Sequence, residues 1–183
     1  KKIAPDALSA LVFMAGRELT RLSGEIDKLA AYTDRADTVL IADVQAIVPP
    51  SLEYNVFELM NRLLDGNLGE AEKMLANLLQ NGQNPVGILA MLSRQLRQLT
   101  HMRLALDAGK PVLTVQEALK LHPYAARQLA RQAKMRPAEM LHALFEEAIE
   151  YDFQIKSGKL RDREALGALM IKIADSGLAK RGN

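Results

Sequence analysis

The residues best placed to do chemistry in this 183-residue chain are its clustered cations. Between Val86 and Arg136 stand nine Lys or Arg against two acids, Asp107 and Glu117, whereas Pro137 to Ile155 holds five acids and no Lys or Arg. The candidates on the basic side are Arg94, Arg97 and Arg103, with Arg127 and Arg131 further on, accompanied by His101, Lys134 and Arg136. A second basic turn carries Lys156, Lys159 and Arg161. Grouped cations of this kind neutralise phosphates without reading bases, so they point to a DNA backbone or an acidic partner surface. The competing reading is a solvated helix face, and helix C-termini attract cations on dipole grounds alone. With aromatics at 4%, little is available to stack bases, which disfavours single-strand readout.

Other chemistries find no residues to carry them. A phosphate-cradling nucleotide loop requires G-x-x-x-x-G-K-[ST], yet Gly109-Lys110 has Leu104 and Pro111 at the flanking key positions, and Gly158-Lys159 has Phe153 and Leu160. His101, His122 and His142 lie about 20 residues apart, without the i, i+4 spacing of a helical metal site, and read as surface or half-buried histidines. No Gly-x-Ser-x-Gly elbow occurs. The absence of cysteine leaves no disulfide, thiolate ligand or thiol nucleophile and fits a cytoplasmic protein. Glu146, Glu147 and Glu150 form an acidic run that reads as a solvated face or as a docking strip for a basic neighbour, and Asp152 with Lys156 is an ordinary i, i+4 helix pair. No catalytic residue, metal ligand or cofactor is therefore assigned, and an enzyme is disfavoured.

The elements that position the cations are helical. Apolar residues make up 49% of the chain, there is no Trp, and no apolar run nears the roughly 20 residues that span a bilayer. Pro5-Asp6 opens a first helix to Ala15 with Leu8, Leu11 and Val12 on one side; Arg17 to Tyr32 carries Leu19, Leu22, Ile26 and Leu29. Val39 to Ile41 reads as a short extended run and Asp43 to Val48 as a short helix. Pro49-Pro50-Ser51 stiffens the chain and marks a boundary, giving units 1–48 and 53–183 joined by 49–52. Helices follow with stripes at Val56, Leu59, Met60, Leu63 and Leu64, then Ala71, Leu75, Leu78 and Leu79, then Ile88, Leu92, Leu96 and Leu99. Gly66 and Gly82 stop the first two, and Pro85 opens the third, which runs to Ala108. Thr114 to Leu121, Tyr124 to Met135, a long helix after Pro137 and a final one from Asp162 complete an all-α chain. The start at Lys1-Lys2, directly into a helical pattern and without Met, implies a fragment.

Taken together, Asn55, Phe57, Gly66, Ala71, Leu75, Leu79, Gly82, Pro85, Ile88, Leu89, Arg94, Gln95, Arg97 and Leu99 resemble the C-terminal part of the bacterial DNA polymerase III delta subunit, a clamp-loader component. Gly16 to Leu19 with Glu25 to Leu29, and Asp152, Lys156 and Gly158, agree with the same family. The resemblance implies an AAA+-type lid bundle in 1–48 and a helical collar in 53–183. It implies partners in the gamma/tau and delta prime subunits through the collar, and in primed DNA through the assembled loader. The sliding clamp would be reached only through an N-terminal domain not contained here. It also implies a non-catalytic role in assembly within a DNA-directed DNA polymerase holoenzyme. The rival readings are a generic helical adaptor and a DNA-backbone-binding module. On the assembly reading, Leu75→Asp and Leu92→Asp both unfold the collar, whereas reversing Arg94, Arg97 and Arg103 to Glu spares folding.

Overall fold

Prolines and polar caps set where the helices begin. Pro5, Pro85 and Pro123 each stand in a first helical turn, where the missing N–H is no loss. Ser51, Asn67 and Asn84 accept hydrogen bonds from Tyr54, Glu70 and Val86 N–H groups, satisfying donors that a helix start leaves free. The computed structural model describes residues 1–33 and 36–178. Their order is β1 (Lys2–Ile3), α1 (Pro5–Ala15), α2 (Leu19–Tyr32), β2 (Thr38–Val39), α3 (Ile41–Ile47), α4 (Leu52–Leu64), α5 (Leu68–Gln80), α6 (Pro85–Asp107), α7 (Val112–Ala118), α8 (Pro123–Lys134), α9 (Ala138–Lys156) and α10 (Asp162–Leu178). The all-α expectation holds.

α6 is the central rod. Its stripe of Ile88, Leu92, Leu96 and Leu99 is buried to within 1%, joined by Leu89 and Met102. It packs on α8 and α9, and also on α4, α7 and α10. The predicted face of α4 is likewise buried, as are Leu166, Leu169, Met170 and Ile173 of α10. Gly66 ends α4 in the left-handed conformation, φ 73°, that a side chain resists. Gly177 in α10 lets that helix end lie close: an added Cβ there would stand 2.5 Å from the Leu64 carbonyl oxygen.

Several expectations change, among them the span of α7, which runs Val112–Ala118 rather than Thr114 to Leu121. Lys2–Ile3 pairs in parallel with Thr38–Val39, a two-strand ribbon in which only the second strand had an extended signature. α3 starts at Ile41 because the Asp43 carboxylate accepts the Leu40 N–H at 2.8 Å, capping the helix earlier than expected. The α1 and α2 stripes are also only partly covered. Leu11 and Leu29 are buried, but Leu8, Ile26 and above all Leu19 (82%) are exposed. Leu22 and Val12 are intermediate. On α5, Ala71 and Leu78 are buried while Leu75 and Leu79 are half-buried.

The N-terminal helices meet the rest through Phe13. Its ring lies 5.3 Å from Phe57 and 5.8 Å from Tyr54, both edge-on, and 5.4 Å from Tyr124 and from the stacked His122. Ser51 N–H also donates to the Met14 carbonyl at 2.8 Å.

Candidate functional site

α6 carries Arg94 and Arg97 on the side away from its apolar stripe, one turn apart, where both line a cleft of about 500 Å³. Across it stand Gly16 and Arg17 at the end of α1, and the turn Leu119 to His122 between α7 and α8. Arg94 is tied at 3.1 Å to Glu53, the cleft's one carboxylate, and both side chains are half exposed. The side chains of Arg17, Arg97 and Lys120 have no ion-pair or hydrogen-bond partner among the described residues. Gln95 is 4% exposed, and its Oε1 has no hydrogen-bond partner among the described residues. His122 caps α8, its Nδ1 accepting the Tyr124 N–H at 3.3 Å. Burial pushes the imidazole below its ordinary pKa, and the charges of Arg17 and Arg127 push it further, against a smaller upward pull from Glu53.

The remaining sequence candidates lie elsewhere. Arg103 serves the fold: Nη1 donates to the Ala133 and Lys134 carbonyls at 3.3 and 3.1 Å, closing the end of α8, and the guanidinium pairs with Asp107 at 2.9 Å. Arg131 is exposed beside a second hollow of about 230 Å³ with Tyr54, Glu58, Arg62 and Asp65. Lys156 pairs with Asp152 at 2.5 Å, Lys159 lies 5.5 Å over the Phe153 ring, and Arg161 is exposed before α10. Arg136, counted with the basic group, is 3% exposed; its guanidinium donates to the carbonyls of Gln132 and Leu64 and to the Gln132 side chain. Its desolvation lowers its pKa. Among the described residues no group of three or more His, Asp or Glu could hold a metal ion, and no helix is long and apolar enough to cross a membrane.

The model of the family described as the DNA polymerase III delta subunit, C-terminal domain, matches residues 53–173. The chain belongs to this family. The delta subunit of Bacillus subtilis is 28% identical over 171 residues, covering 93% of this chain and 49% of that protein. The probable delta subunit of Aquifex aeolicus is 27% identical over 115 residues, covering 62% and 33%. The solved Bacillus subtilis clamp loader delta protein superposes with a TM-score of 0.75 at 26% identity, over 96% of this chain and 52% of that one. The chain thus spans about half the length of the Bacillus subtilis protein it matches. In this delta family member, sequence reasoning found Arg94 and Arg97 but missed Arg17, Lys120, His122 and Gln95 as their neighbours. The signal for His122 was its place before Pro123, which fixes it as a helix cap; nothing in the sequence joins it to residues far away in the chain.

Proposed function

We propose that this chain is an assembly element of the clamp loader, contributing contacts between subunits rather than clamp opening or nucleotide hydrolysis. On this reading residues 1–48 form the lid, 49–52 the linker and 53–183 the collar that docks on the gamma/tau and delta prime subunits, in a loader that places the sliding clamp on primed DNA. One observation carries it: within the family-matched segment, Ile149 and Phe153 stand exposed one turn apart on α9, with Ile171 exposed on α10. The two helices are tied by Lys172 and Glu147 at 2.9 Å. Exposed large apolar side chains on packed, rigid helices are what an interface core requires.

The test is co-elution with the other bacterial clamp-loader subunits by gel filtration with light scattering. A defined hetero-oligomer that Ile149→Asp with Phe153→Asp abolishes, in a chain that still melts cooperatively, supports the reading. Unchanged assembly by that pair moves the interface elsewhere, and a monomer with every subunit rejects it. Contact with the DNA backbone is the second reading, supported by Arg97, Arg127 and Arg131, which are exposed and unpaired among the described residues. Its mark is an affinity that falls steeply with salt.

A further inference from the structure

We propose that the cleft bounded by Arg17, Arg94, Arg97, Lys120, Gln95 and His122 is a binding site for a phosphate group. This inference depends on neither reading above, since it rests on the cleft alone.

Four observations converge. First, among the described residues four cations line the cleft with one carboxylate, Glu53, which pairs with Arg94. Like charges gathered in a partly enclosed hollow repel one another, and an anion relieves that repulsion. Arginine suits a phosphate because its planar fork donates two parallel hydrogen bonds. Second, Gln95 is buried with its Oε1 unpaired. That oxygen is closed to solvent, so the group of Gln95 that can meet an anion in the cleft is its amide N–H₂, a donor.

Third, the described residues include six at positive φ; five are glycines and the sixth is Lys120, at φ 51°. Lys120 closes α7, its N–H donating to Glu117 O and the next N–H to Gln116 O, a helix-end position that ordinarily takes glycine. Placing a lysine there strains the backbone, and the residue bearing that strain lines the cleft. Fourth, the volume of about 500 Å³ holds a phosphate together with part of the molecule that carries it. That carrier is a nucleic-acid strand or a free phosphate compound, and the chemistry of capture is the same for both.

The test is titration of the full chain with inorganic pyrophosphate and, separately, with a single-stranded oligothymidine, reading the His122 imidazole resonances by NMR. Saturable one-to-one binding of pyrophosphate that shifts His122, weakened at least tenfold by Arg17→Gln with Arg97→Gln and unaffected by Arg131→Gln, is the expected result. Pyrophosphate displacing bound oligothymidine assigns the phosphate to nucleic acid; pyrophosphate binding with no oligothymidine binding assigns it to a free phosphate compound. Lys120→Gly separates site from scaffold: it removes the charge and the strained φ, so the variant is expected to melt no lower than the parent while binding pyrophosphate several-fold more weakly. His122 unmoved by both probes, or affinity unchanged in the arginine pair and in Lys120→Gly, overturns the proposal.

Discussion

Single residues divide sharply by whether their stripe is covered. Leu92 is fully buried in α6, so Leu92→Asp places an unpaired carboxylate in the core at a cost of several kcal/mol and is expected to abolish cooperative melting. Leu75, read from sequence as equivalent, is only half-buried on α5. Its carboxylate reaches water, so Leu75→Asp is expected to lower the melting temperature while leaving one cooperative transition by circular dichroism. A second residue-level expectation concerns acid. His122 has its pKa depressed in the fold, chiefly by burial, so the unfolded chain binds its proton more readily. Stability from this group is therefore present above its ordinary value near 6.5 and is lost as the pH falls below it. His122→Asn, which keeps a capping side chain, is expected to flatten the melting temperature between pH 7 and pH 5. An unchanged slope would place that acid sensitivity elsewhere. Periodicity revealed the α6 stripe because every turn repeats a leucine. It misjudged Leu19 and Ile26 because an apolar face is visible in sequence but its cover is not.

At the level of elements, the cations that look alike in sequence do different work. Arg103 reaches the end of α8 across 30 and 31 residues, and Arg136 reaches the end of α4 across 72. Both donate to carbonyls at a helix C-terminus, where intrahelical partners run out. Arg97 has no such task among the described residues, so the expectation that Arg94, Arg97 and Arg103 reverse together with folding intact does not follow from the packing. Arg103→Glu sets a carboxylate against two carbonyls and Asp107, and is expected to lower the melting temperature by several degrees, whereas Arg97→Glu is expected to leave it within a degree or two. Equal melts for the two variants would show that the α8 end needs no side-chain donor. Such roles escape a sequence reading because the partner is a backbone carbonyl, which no residue type announces. The caps at Ser51, Asn67 and Asn84 differ in that each acts within three residues of itself, although the sequence reading did not assign them.

For the molecule as a whole, the order of helices followed from patterning, but the central place of α6 and the seating of residues 1–48 on the remainder did not. Stripes give each helix an inward face without saying which neighbour it meets, and Phe13 shows the consequence. It sits on α1, yet its ring is enclosed by side chains from α4, α8 and the cap of α8, on the far side of Pro49-Pro50. Burial of that ring couples the two segments, alongside the Ser51 to Met14 hydrogen bond. Removing a buried phenylalanine side chain costs about 3–5 kcal/mol. Here the loss falls on the junction, because the aromatic partners of the ring, Tyr54, Phe57, His122 and Tyr124, all stand beyond Pro49-Pro50. Phe13→Ala is therefore expected to do more than lower a melting temperature. The N-terminal segment, whose stripes are only partly covered, loses its main anchor and melts first, and the α6 core follows at higher temperature. Calorimetry gives the shape of the transition, and hydrogen exchange locates it: amides of α1 to α3 should lose protection in the variant while those of α6 and α9 keep theirs. A single transition with uniform loss of protection would mean that the two segments fold as one unit through contacts beyond this ring, and the boundary at 49–52 would then be a bend in one domain.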